Sequence, residues 1–265
     1  MAAEVAAAAA ATLRRWNGVV RPRKVPLPEK PKLTLYEFEA SPYCRRVRET
    51  INILGLEVLV KPCPRETLRT EGAYSSKSRH KPEVRAAGGK LLFPFLVDHS
   101  ANVALNESSY IVEHLWKHYG IGVEQPSSDR VLNGGLPALL DIPLLTAPSA
   151  LRPWPHAGLM MAPSVRPELP LIMHGCEPDP GCRLVRELLC ILQIPYHFKP
   201  RDLDSPLPHL EDPNTDFKTF GARSAQEYLR DKYQLGPPLP LTAPVPEPNL
   251  GDSGRTSPIS WFLPR

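Results

Sequence analysis

Ser41 and Cys44 lie three residues apart behind a short apolar run, so a hydroxyl and a thiol stand together where a strand gives way to a helix. Leu33, Leu35, Tyr36 and Phe38 are rich in β-favouring types and predict a buried strand. Ser41-Pro42 ends it, with Ser41 suited to cap a helix and Pro42 to its first position. Cys44, Val47, Ile51 and Leu54 then recur at helical spacing, while Arg45, Arg46, Arg48 and Glu49 fall on other faces. Backbone N–H groups and the helix dipole at such a junction favour a thiolate or a bound anion. Two plainer roles stand beside this chemistry. Ser41 serves equally as a helix cap, and the place of Cys44 on the apolar face suits a buried core thiol.

The elements around this junction are predicted as a strand, a helix over 42–54, a strand over 57–61 and a short helix near 82–88. Two strands within 94–105 and a helix over 107–118 follow, the last with Ile111, Leu115 and either Trp116 or Tyr119 on one face. The stretch Thr70 to Lys81 lengthens one connection with a basic cluster, expected to be a solvated loop.

The pattern around Ser41 resembles the active-site turn of the glutaredoxins and of the N-terminal, glutathione-binding domain of soluble glutathione S-transferases. Phe93-Pro94-Phe95-Leu96-Val97-Asp98 is similar to that family's cis-proline loop and following strand, and Glu107-Ser108 to the pair that opens its last helix. The resemblance runs from Leu33 to Gly120 and implies a thioredoxin-like βαβ-α-ββα fold. It implies glutathione as the ligand. Ser41 would stand at its sulfur end, Phe93 and Pro94 at its backbone, and Glu107 and Ser108 at its γ-glutamyl end, with Tyr43 a further binding residue. A serine cannot form the mixed disulfide of thiol–disulfide exchange. It can donate a hydrogen bond to a glutathione thiolate and so lower the thiol's pKa, the role of the matching serine in serine-type transferases. Cys44, in the family's resolving position, is the alternative nucleophile, and a bridge between Cys44 and Cys63 is conceivable from their strand ends.

The chain also repeats itself. Ser41–Pro62 aligns with Asp179–Pro200 at a separation of 138 residues, matching prolines, cysteines, an arginine, Val-Arg-Glu and the closing Lys-Pro. FPFLVD meets LPHLED, and EHLWKHY meets EYLRDKY, at a separation of 114, so the second copy is 24 residues shorter before its proline loop. The expected fold is therefore α/β, two tandem thioredoxin-like domains, the second without its second helix. The expected parts are a disordered or transit-like N-terminus over 1–31, a first domain over 32–120 and a proline-rich linker over 121–169. A second domain over 170–235 and a disordered tail over 236–265 complete them. The second copy carries Asp179 at the sulfur position and Gly221-Ala222 in place of Glu-Ser, so it is expected to have lost the ligand.

Composition sets outer limits. The 265 residues include 33 prolines, which suggests extended segments beside folded parts. A net charge of +4, spread along the chain, argues neither for nucleic acid nor for a membrane surface. No apolar run of membrane-spanning length occurs. The five cysteines lack the spacing of a secreted disulfide framework, and no histidine pair accompanies Cys176 and Cys182 to make zinc ligands, so no metal is expected. The alanine- and arginine-rich start resembles a transit peptide. The tandem arrangement is similar to a plant and algal family that is commonly plastid-targeted, so chloroplast is the expected address and cytoplasm its alternative. Members of that family carry a Cys-Pro-aromatic-Cys turn, from which Ser41 departs. No helical domain follows to supply an electrophile pocket, so two functions stand: a glutathione-dependent enzyme, and a non-catalytic thioredoxin-like module for a protein partner.

Overall fold

The run Leu33–Glu37 is buried at every position and forms β1. Ser41 caps the next helix, α2 (Pro42–Ile53), with its Oγ accepting the N–H of Cys44. Gly55, at φ +62°, turns the chain into β2 (Val58–Pro62), which lies parallel to β1. A computed structural model of the chain describes residues 2–14, 17–65, 78–130 and 158–236. Before β1 stands α1 (Ala2–Leu13), and after β2 come α3 (Lys81–Ala86), β3 (Phe95–Asp98), β4 (Val103–Asn106), α4 (Ser108–Tyr119) and α5 (Ser127–Arg130). The second half holds β5 (Leu171–Gly175), α6 (Pro180–Ile191), β6 (Tyr196–Pro200), β7 (His209–Asp212), β8 (Phe217–Phe220) and α7 (Ala222–Tyr233). Among the described residues no helix is long and apolar enough to cross a membrane.

The eight strands form one sheet in the order β4-β3-β1-β2-β6-β5-β7-β8. Its centre is the antiparallel pair β2–β6, in which Val58 meets Phe198, Leu59 meets His197 and Val60 meets Tyr196. Residues separated by 138 in sequence thus cross over one another about the Leu59–His197 pair, the register of a two-fold axis inside one chain. One apolar core spans both halves, from Leu33 and Ile51 to Leu188 and Tyr233. Each half closes its last hairpin in the same way. Asp98 accepts from Tyr119 Oη at 2.5 Å and pairs with His114 Nε2 at 2.8 Å, while Asp212 accepts from Tyr233 and Tyr228.

Charged residues fill the interface between α2 and α6. Arg48 bonds Glu37, and its Nε donates to Glu177 at 3.0 Å; Arg186 Nε donates to Glu39 at 3.1 Å. The backbone N–H of Glu39 meets Cys190 Sγ at 3.4 Å, and that of Glu177 meets Asn52 Oδ1 at 3.0 Å. Each of these contacts has its counterpart 138 residues away, except that the position matching Glu37 is Gly175. Three carboxylates therefore share two guanidiniums, and Glu37 is the one in excess. Burial pushes its carboxyl up, Arg48 opposes this, and Glu39 and Glu177 add to the rise. Burial acts on Glu39 too, but Arg186 and Arg48 outweigh it and hold that carboxyl down.

Three expectations change here. The N-terminal alanines are not disordered: Ala7, Ala10 and Ala11 are buried as α1 packs on α6, and Arg14 forms a buried ion pair with Glu49. Small side chains are what allow that close approach. The end of the basic stretch is not solvated either. Arg79 N donates to Gln193 Oε1 at 2.9 Å and its guanidinium reaches the carbonyls of Leu192 and Ser164, while His80 and Lys81 are buried. The linker expected over 121–169 is ordered at its ends, where Arg23 bridges Val123 and Ser164 bridges Gln234. Residues 66–77 and 131–157, and the tail from 237 on, lie outside the described residues.

Candidate functional site

Register brings the sequence-predicted residues to one edge of the sheet. Tyr36 pairs with Phe95, and Phe95 with Asn106, so the exit of β1, the entry to β3 and the end of β4 lie side by side. Beyond that line stand the Phe38–Ser41 turn, the Phe93-Pro94 peptide, which is cis, and Glu107-Ser108 at the start of α4. Phe38 and Phe93 meet edge to face at 6.4 Å between ring centres, which ties the turn to the proline loop. Asn106 holds the approach to that loop, with its side chain bonded to Lys90 N at 3.0 Å and to Leu92 O at 2.9 Å.

Ser41 has extended backbone and lies 3.2 Å from Cys44 N, an N-cap contact worth about 1 kcal/mol. Its Oγ accepts there, which leaves the hydroxyl proton to be donated elsewhere. It is only 2% exposed. Tyr43 beside it is half-buried. Cys44 is fully buried. Burial and the charge of Glu37 push its thiol up to about 12, against hydrogen bonds from Ser41 and Phe38 and the charge of Arg48. That environment opposes a thiolate at neutral pH, so the thiol sits as core packing behind the edge rather than at it. Cys63 is a free buried thiol as well, raised by burial, and its N–H bonds Glu37 O at 2.6 Å.

Glu107 is the exceptional residue. It takes φ 71° and ψ 120°, a region that costs a non-glycine residue about 1–3 kcal/mol, yet its side chain is exposed and makes no capping bond. Ser108 follows it into α4 and is buried. The corresponding positions of the second half are Gly221, at φ 88°, and Ala222. There the same three elements converge on Gly181. A Cβ added at Gly181 would lie 3.1 Å from Pro208 Cδ, 3.3 Å from Asp179 Oδ1 and 3.5 Å from Ala222 Cβ. Leu207-Pro208 is cis, and Asp179 caps α6 by accepting from Cys182 N at 2.6 Å.

One neighbour of the site had no signal in the sequence. Residues 158–161 lie along the turn, with Arg65 N donating to Leu159 O at 2.6 Å and Met161 N to Arg65 O at 2.8 Å. Leu159 and Met160 pack on Ala40 and Phe38, and the Arg65 guanidinium stands 5.7 Å from the Phe38 ring centre. The contact joins segments about a hundred residues apart, and a run of linker composition gives no hint of it.

Residues 35–126 match the family model described as the glutathione S-transferase N-terminal domain. The first half therefore carries a thioredoxin-like domain of that class. No curated protein and no solved structure matches the chain.

Proposed function

We propose that the first domain binds glutathione. Glu107 and Ser108 take its γ-glutamyl end, the backbone before Pro94 its peptide, and Ser41 with Tyr43 its sulfur. The observation that carries this reading is the backbone of Glu107. Strain of this kind persists where it serves a site. The second half has the same turn with glycine, which adopts it without cost. In this reading the Ser41 hydroxyl donates to the glutathione thiolate and keeps it ionised for attack on an electrophile or disulfide, the chemistry of a serine-type transferase or thiol transferase. Residues 170–235 are, in the same reading, a second and trimmed thioredoxin-like domain without a ligand. Their β5-α6-β6-β7-β8-α7 order, the cis Leu207-Pro208 and the Gly221 turn support it.

A non-catalytic module is the second reading. The burial of Ser41 favours it, since a residue 2% exposed offers its hydroxyl to a ligand only after its surroundings move. Calorimetric titration with glutathione decides between the two. The wild-type chain is expected to bind one equivalent at millimolar or lower concentration, and Ser108→Ala to weaken binding by about tenfold, the worth of one hydrogen bond to a charged group. An absence of heat from the wild type at millimolar glutathione leaves the module reading in its place.

A further inference from the structure

We propose that His174, His209 and Glu211 form a binding site for a divalent transition-metal ion of the zinc class, on the face of the sheet that the second half leaves without a helix.

The strands put the three side chains together. His174 of β5 pairs directly with His209 of β7, and Glu211 stands two residues further along β7 on the same face. Their ligand atoms all lie within 4.8 Å of one another. His174 Nε2 is 2.9 Å and His209 Nε2 3.8 Å from Glu211 Oε1. Ligands of a tetrahedral zinc ion sit about 3.3 Å apart, from metal–ligand distances of about 2.0–2.2 Å, so small side-chain adjustments close the set. The rings are already aligned. His174 and His209 stack at 4.8 Å and 20°, and His209 stacks on Phe220 at 4.3 Å and 14°. All three ligands are half-buried.

The first half shows what this face otherwise holds. The positions of His174, His209 and Glu211 correspond to Tyr36, Phe95 and Val97. There Tyr36 and Phe95 are buried with Cys63 and with Val84 of α3, and Val97 packs at the margin. In the second half residues 201–208 contain no helix, so the face has no such cover. Any polar residue would solvate a bare face. Two imidazoles and a carboxylate aimed at a common point are what a borderline cation requires.

Lys218 Nζ holds Glu211 Oε2 at 3.1 Å, leaving Oε1 toward the histidines. An ion bound at Nε2 takes each imidazole in its neutral form, with the single ring proton on Nδ1. Three protein ligands leave a position for water or a further ligand. A residue-by-residue search for ligand spacing misses this set, because 35 residues separate His174 from His209.

The test is titration of the metal-free full chain with Zn²⁺ at pH 7 by calorimetry, with the melting temperature measured in parallel. One equivalent is expected to bind and to raise the melting temperature. His174→Gln and His209→Gln, which keep size and polarity on a half-exposed face, are expected to weaken binding by more than the 10–100-fold that even supporting residues contribute. Lys218→Met leaves all three ligands in place and is expected to keep the site or tighten it. Binding of equal strength in the His174→Gln, His209→Gln double variant, or no binding by the wild type at submillimolar Zn²⁺, would overturn the proposal. Melting of the metal-free variants near the wild-type temperature separates lost ligands from lost folding.

Discussion

Arg48→Met is expected to lower the free energy of unfolding by about 3–5 kcal/mol, the cost of removing one partner from a buried ionic group. Arg48 is buried and bonds Glu37, Glu39 and Glu177 together. Without it Glu177 keeps Arg186, and Glu39 keeps Arg186 with two contacts. Glu37 keeps no side-chain partner among the described residues, so it must remain buried as an unpaired charge or take up a proton. The loss falls on the seam between the halves, because Arg48 of α2 reaches Glu177 just before α6. Replacing Glu37 by Gln in the same chain removes the stranded charge and is expected to restore part of the loss. Urea unfolding of the three proteins measures this. A loss below about 1 kcal/mol for Arg48→Met would place the seam's stability in its apolar contacts instead.

Glu107→Gly is expected to separate stability from binding. Glycine adopts φ 71° without the steric penalty, so the variant gains up to about 1–3 kcal/mol in the folded state, less about 1 kcal/mol for the greater freedom of glycine in the unfolded chain. The side chain at Glu107 is exposed and makes no hydrogen bond, so nothing else is lost on folding. The melting temperature is expected to hold or rise while glutathione affinity falls by tenfold or more. A drop in melting temperature together with intact binding would show that the glutamate holds the fold rather than the ligand.

The local parts of this structure are legible in the sequence because they depend on neighbours in the chain. Ser41-Pro42 caps α2, Ile111, Leu115 and Tyr119 form the buried side of α4, and Phe93-Pro94 is cis as the motif implies. Arg45, Arg46, Arg48 and Glu49 are not legible in that way. Helical spacing sets them apart from the apolar stripe, yet all four are buried. Arg48 meets Glu177, 129 residues on, and Glu49 meets Arg14 ahead of β1, so what buries them is not set by neighbours in the helix. The same reason hides the buried Arg79–Lys81 segment and the strip over Phe38 and Ala40. The matching letters of the two halves are legible, but not that the halves share one sheet through β2 and β6. Of the site, the residues at the sheet edge were readable from motifs. The burial of Cys44 was readable from its place on the apolar face, but the strain at Glu107 was not, because φ belongs to the folded chain.

The most direct test of glutathione binding at this edge is amide NMR of the full chain during glutathione titration, since the second half is an internal control. The amides of Phe95, Glu107 and Ser108 are expected to shift together and saturate, while those of Gly221 and Ala222 stay still. Shifts confined to the second half, or scattered without saturation, would contradict a glutathione site at Glu107 and Ser108.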